Sequence, residues 1–127
     1  QAELIKSMEI KKHIPSNVEY MGIDAFPINN SVVEMKIEEC VFEAKLFETV
    51  CAFAVLAWVH DLKMAVYQMK RICAKNIIIL TGIGIKPDQY HTHEITEEDL
   101  DGMMYGFTAT YKEYVAPKVL LIEYTRA

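Results

Sequence analysis

The residue types best suited to chemistry lie in one short stretch, residues 90–94 with the sequence YHTHE, followed at a short distance by Glu98. In an extended segment His91 and His93 point the same way, because side chains repeat every two residues along a strand. Two imidazoles and a nearby carboxylate are a usual ligand set for Zn²⁺ or Fe²⁺. The spacing therefore indicates a divalent-metal site formed by His91, His93 and Glu98.

Other interpretations of this stretch stay open. The acidic residues that follow Thr96 suit the first turn of a helix, where carboxylates interact favourably with the helix dipole without any metal. The string from Gly84 to Glu98 loosely resembles the first metal motif of cupins, but no second motif with a further histidine follows it. A solvated loop before a short helix is therefore the alternative to a metal site, and we assign no family.

Acid–base chemistry is a second interpretation of the same residues. Histidine titrates near working pH, so His60, His91 or His93 could serve as general acid or base. We expect His91, His93 and Glu94 to be the most reactive groups, with His60 and Lys63 behind them on the face of a helix. Hydrolase, lyase and isomerase chemistry all fit these groups. The alternative for His60 is an exposed histidine on a polar face.

One long helix from Phe47 to Lys75 is predicted as the element that positions these groups. The segment contains no Pro or Gly and is rich in Ala, Leu and Met, which favours a helix. Its second half is amphipathic, whereas Val50–Val59 is apolar all round. A helix buried on every side needs more than one covering layer, so we expect a curled sheet or a neighbouring copy, and we favour a homo-oligomer.

Strands are predicted on both sides of that helix. An antiparallel hairpin is expected from residues 18–28 and 32–44, with a bulge near Glu38 or Glu39. Four apolar residues in a row at 77–80 indicate a buried strand, and Thr96 caps a short helix at 96–107. A last hairpin is expected from 109–115 and 119–124, on either side of Pro117. The fold class is therefore α+β: a mostly antiparallel sheet (β-β-α-β-(α)-β-β) wrapped on one long central apolar helix.

The composition indicates one globular domain over all 127 residues, with residues 1–15 as a mobile arm or a short helix. A net charge of −5 and no basic run longer than two residues argue against nucleic acid. The three cysteines have no CxxC spacing, which favours a reducing cytoplasm. The longest uncharged run, residues 49–60, is about half a membrane span, so no membrane is expected as a partner.

The function predicted from these observations is a small oligomeric enzyme or ligand-binding domain for a small polar metabolite. Its cofactor is left open apart from the divalent metal. The alternative is a noncatalytic assembly or interaction protein that uses the apolar half of the helix as its contact surface. Convergence of the histidines with a carboxylate in a cavity would favour the first prediction over the second.

Overall fold

A computed structural model of the chain describes residues 21–24, 32–88 and 92–127. The predicted arm at residues 1–15 lies outside the described residues. In chain order the elements are β1 (Gly22–Asp24), β2 (Val32–Glu34), a 3₁₀ helix (Ile37–Glu39), β3 (Phe47–Phe53), α1 (Leu62–Ile72), β4 (Cys73–Gly82), α2 (Glu97–Met103), β5 (Phe107–Ala116) and β6 (Val119–Arg126).

A mixed four-stranded sheet with the order β3-β4-β6-β5 forms the centre of the described region. β3 and β4 are parallel and are joined through α1, whereas β6 is antiparallel to both β4 and β5. The predicted strand at 77–80 is confirmed within β4, but it is buried on one face only and not on both as predicted. The predicted C-terminal hairpin is confirmed as β5 and β6. Pro117 and Lys118 form its turn, with Lys118 at φ 60°.

The core lies between one face of this sheet and the two helices. Ile77 and Ile79 of β4 and Leu120 and Ile122 of β6 are fully buried on that face. The helices contribute apolar side chains to the same cluster, including Val66, Met69, Leu100 and Met104. Because alternate residues of a strand face opposite sides, the pairing of Ile79 with Ile122 aligns the buried sets of the two strands.

The predicted long helix is wrong, and so is the fold class built on it. Residues 47–53 form β3, a turn follows, and only Leu62–Ile72 is helical. A short apolar run, such as residues 50–59, suits a sheet strand as well as a buried helix. Here residues 47–53 pair in parallel with β4 on one side. No helix is enclosed by the sheet in the described region. The homo-oligomer that was inferred from such a helix loses this support and stays a prediction.

The predicted N-terminal hairpin is also wrong where it is described. β1 and β2 pair in parallel, with Gly22 opposite Val32. Residues 18–20 and 25–31 of that prediction lie outside the described residues. In place of the predicted bulge, residues 37–39 form a 3₁₀ helix. Its first hydrogen bond runs from the Glu39 N–H to the Lys36 carbonyl. None of the helices in the described ranges is long and apolar enough to cross a membrane.

Candidate functional site

An open cleft of about 700 Å³ lies between the start of α1 and α2. Its walls come from the two segments that follow the carboxyl ends of the parallel strands β3 and β4, which is where open α/β sheets usually bind ligands. The residues that line it are His60, Asp61, Leu62, Lys63, His93, Glu98, Asp99, Gly102 and Met103.

Glu38 fixes the segment that carries His60 into the cleft. Its carboxylate accepts hydrogen bonds from the backbone N–H of His60 at 2.9 Å and of Asp61 at 3.4 Å. Asp61 caps α1, since its Oδ1 accepts from the Met64 N–H at 3.1 Å. The first turn of α1, with Lys63, therefore starts at a defined place in the cleft wall.

His93 is held by the turn that follows β3. The Thr92 N–H donates to the Ala57 carbonyl at 2.6 Å, and the ring Nε2 of His93 lies 2.7 Å from the Val59 carbonyl. A carbonyl oxygen only accepts, so Nε2 carries the proton in this contact. In the neutral ring Nδ1 is then the basic nitrogen.

Two glycines shape the return from β4 to this region. A side chain at Gly82 would meet Cδ1 of Ile85, and Gly84 has φ +68°. The Gly84 N–H donates to the Ile95 carbonyl at 2.8 Å, which brings the chain back toward α2. Gly82 therefore serves close packing and Gly84 a left-handed backbone.

Hydrogen bonds to β5 and β6 hold α2 in place. Thr96 caps it as predicted, accepting from the Asp99 N–H at 3.1 Å. The Tyr124 hydroxyl donates to Asp101 Oδ1 at 2.6 Å, and the pKa of Tyr124 is raised, first by burial and then by this carboxylate. The Tyr114 hydroxyl donates to the Glu97 carboxylate, and Lys112 Nζ lies 3.1 Å from Glu97 Oε1. Both contacts lower the pKa of Glu97.

Four of the predicted site residues line the cleft: His60, Lys63, His93 and Glu98. Glu94 is exposed and is absent from its lining. His91 lies outside the described residues. Among the residues that are described, no three His, Cys, Asp or Glu side chains are grouped so as to hold a metal ion. The metal set of His91, His93 and Glu98 therefore stays a prediction.

Sequence reasoning missed Glu38 as a site residue and did not single out Asp99 among the acidic residues that follow Thr96. Glu38 is separated from His60 by 22 residues, so no local spacing connects them. Asp99 was predicted as part of the α2 cap, yet it also lines the cleft. The carboxylates of Asp61, Glu98 and Asp99 outnumber the one lysine of the lining, which gives the cleft an acidic character.

Comparison with solved structures places the chain among methyltransferase folds. A protein of Pyrococcus horikoshii OT3 matches with a TM-score of 0.71 and 14% identity, over 95% of this chain and 76% of that one. The N-methyltransferase NodS of Bradyrhizobium japonicum WM9 matches with a TM-score of 0.63 and 12% identity, over 82% of this chain and 71% of that one.

The Synechocystis PCC 6803 magnesium protoporphyrin IX methyltransferase, solved with bound SAM, matches with a TM-score of 0.60 and 12% identity over 81% of this chain. This chain spans only 49% of that enzyme. No protein-family model and no curated protein sequence matches the chain. At such low identity the likeness shows the fold alone, which resembles that of SAM-dependent methyltransferases.

Proposed function

We propose that this chain acts in SAM-dependent methyl transfer and that its cleft receives a small polar acceptor bearing a nitrogen atom. The observation that carries this proposal is the fold likeness to methyltransferases over four fifths of the chain. One of those neighbours is an N-methyltransferase by its name. The acidic lining adds support for a nitrogen acceptor, because carboxylates attract a protonated amine.

The carboxylates that line the cleft are chemically suited to SAM. SAM carries sulfonium and ammonium charges and ribose hydroxyls, and carboxylates offset such charges and accept hydrogen bonds from such hydroxyls. Asp61 and Asp99 are the residues that we assign to hold it, since both line the cleft. When bound, SAM supplies an electrophilic methyl group and leaves as a neutral thioether, SAH.

The chain's own residues would orient the acceptor and remove its proton. A protonated amine has no free electron pair, so it must lose a proton before its nitrogen can form a bond to carbon. His93 is the group we assign to take that proton at Nδ1, because Nε2 is occupied by the Val59 carbonyl. General-base catalysis of this kind contributes about 10²- to 10⁴-fold in rate.

His60, Lys63 and Glu98 are assigned to bind polar groups of the acceptor. All three line the cleft, and the N–H bonds to Glu38 fix the backbone that carries His60. Glu94 and His91 receive no role in this proposal. Oligomerisation, a cytoplasmic location and the noncatalytic alternative remain predictions.

The proposal is tested first by binding. Isothermal titration with SAM and with SAH should give saturable binding, and Asp99→Asn should weaken it about tenfold, equivalent to about 1.4 kcal/mol. Glu43→Gln is the matched control, because it removes an exposed carboxylate outside the cleft lining. Absence of binding to either compound at millimolar concentration would overturn the proposal and favour the noncatalytic alternative.

The second test separates binding from chemistry. A panel of small amines is screened for SAH release, and any active acceptor is assayed with His93→Gln. Glutamine keeps an N–H donor that can satisfy the Val59 carbonyl but cannot take a proton. We expect unchanged SAM affinity with turnover lowered about 100-fold or more. Unchanged turnover would remove His93 from the mechanism and leave the rest of the proposal standing.

A further inference from the structure

A second pocket lies at the other end of α1 from the cleft and has the opposite charge. Its volume is about 340 Å³, and four cationic residues line it: Lys45, Lys70, Arg71 and Arg126. The cleft lies at the first turn of α1, whereas Lys70 and Arg71 lie in its last turn. The helix has 11 residues, which separates its ends by roughly 16 Å.

The groups that accept hydrogen bonds from Lys70 and Arg71 are uncharged oxygen atoms. Lys70 Nζ donates to the Met103 and Tyr105 carbonyls at 2.9 and 3.1 Å. Arg71 donates to the Phe42 carbonyl at 2.6 Å and to the Gln68 amide oxygen at 2.7 Å. These bonds position the side chains, and the last turn of α1 offsets about half a charge.

Arg126 lines the pocket, and only part of its guanidinium forms hydrogen bonds. Its Nη2 donates to the Lys70 and Cys73 carbonyls at 2.7 and 2.5 Å, and its guanidinium lies 4.7 Å from the centre of the Phe107 ring. Its Nε is buried and has no hydrogen-bond partner in the part of the chain that the structure describes. Within the described ranges the three ion pairs involve Lys75 and Lys112, and none involves a cation of this pocket.

Among the described residues, no acidic side chain pairs with these four cations. The chain has a net charge of −5, so four clustered cations do not follow from its composition. Bringing like charges together raises their electrostatic energy unless an anion lies between them. The pocket therefore favours an anion with several oxygen atoms, and arginine suits phosphate because its fork of N–H groups matches phosphate oxygens.

Two exposed tyrosine rings stand beside these cations. Tyr105 is 88% exposed and Tyr67 is 56% exposed, and both line the pocket. A planar base stacks favourably on such rings. The pocket volume of about 340 Å³ is near the lower limit for ligand pockets, about 300 Å³. This size suits a single nucleotide and not a nucleic-acid strand.

From the cations and rings together we infer that this pocket binds a phosphate monoester that carries a planar ring, such as a nucleoside monophosphate. This site is distinct from the cleft and does not depend on methyl transfer. Its ligand binds through Lys45 and the arginines at the phosphate, and through Tyr105 or Tyr67 at the ring. Binding weakens as ionic strength rises, because exposed charges are screened by salt.

The test uses the whole chain with AMP, adenosine and inorganic phosphate as probes. Amide shifts in two-dimensional NMR report where each probe binds. We expect AMP to bind more tightly than phosphate or adenosine and to move signals of Lys45, Tyr67 and Tyr105. Lys45→Glu should weaken AMP binding tenfold or more, and Tyr105→Ala should weaken AMP but not phosphate. Both side chains are exposed, so the fold should persist.

The matched control is Lys86→Glu, which makes the same charge change on an exposed lysine outside the pocket lining. Equal weakening by Lys45→Glu and Lys86→Glu would mean that only net charge matters and would overturn the inference. So would AMP shifts confined to His60, Lys63 and His93, because the probe would then occupy the cleft. Failure of SAM to bind, by contrast, would leave this site untouched.

Discussion

The two faces of the four-stranded sheet carry similar apolar side chains but have different surroundings. On one face Ile77, Ile79 and Ile122 are fully buried beneath α1 and α2. On the other face Ile78 and Leu80 of the same strand are only half-buried. Composition therefore does not decide where the core lies. The side of the sheet on which the two helices pack decides it.

Adjacent residues of β4 therefore contribute unequally to the stability of the protein. Burying apolar surface contributes about 25 cal/mol per Å², so side chains on the covered face contribute most of the stability of the sheet. The cleft and the second pocket lie at opposite ends of α1, which packs on this covered face. Core, cleft and basic pocket thus share one layer of the molecule.

The largest expected effect compares Ile79→Ala with Leu80→Ala. Ile79 is fully buried, so its truncation should leave a cavity and lower the free energy of unfolding by about 2–5 kcal/mol. Leu80 is half-buried on the other face, and its loss should cost about 1 kcal/mol. Urea denaturation followed by circular dichroism measures both.

Leu121→Ala is the control for that pair, since Leu121 lies opposite Leu80 and is also half-buried. It should resemble Leu80→Ala. If truncations on the two faces cost equal amounts, the second face is as tightly packed as the first, and the comparison between them is wrong.

A smaller effect is expected for the tyrosines that bind carboxylates on the two faces. Tyr124→Phe removes the buried hydroxyl that donates to Asp101, and hydrogen bonds to charged groups contribute about 1.5–3 kcal/mol. Tyr111→Phe removes an exposed hydroxyl that donates to Glu113, and it should cost less than about 0.5 kcal/mol. Thermal unfolding of the two variants under identical conditions measures the difference; similar losses would argue that exposure does not weaken this kind of contact here.

Elements encoded by neighbouring residues could be predicted from the sequence. Thr96 and the acidic residues after it specify the start of α2 locally. Pro117, between two runs rich in Tyr, Val, Thr and Ile, specifies the last hairpin. The segment 47–59 could not be predicted in the same way. Its residues suit a helix locally, and only pairing with β4, more than twenty residues away, makes residues 47–53 a strand.

The candidate site was predictable by residue type but not by position. His60, Lys63, His93 and Glu98 were singled out because their side chains carry chemistry, and they line one cleft. Their convergence depends on the parallel pairing of β3 with β4, which the predicted long helix excluded. The second pocket could not be predicted, because its cations come from three separate parts of the chain: Lys45, the pair Lys70 and Arg71, and Arg126.

The smallest expected effect is a pH dependence on the covered side. The Tyr114 hydroxyl and Lys112 lower the pKa of Glu97 in the folded protein. A carboxyl with a lowered folded pKa stabilises the protein fully above its unfolded pKa, about 4.3, and this stabilisation is lost as pH falls through the folded pKa. Glu97→Gln should therefore lower the melting temperature slightly at pH 7, and by less as the pH falls below the unfolded pKa.

Glu113→Gln is the matched variant on the other face, because Glu113 also accepts from a tyrosine but has no lysine partner among the described residues. Lys112 joins Glu97 of α2 to β5, so the pH-dependent loss should be larger for Glu97→Gln than for Glu113→Gln. Melting curves of both variants and the parent at pH 7 and pH 3 decide this. A loss for Glu97→Gln that stays constant across this range would mean that Glu97 contributes through packing and not through its charge.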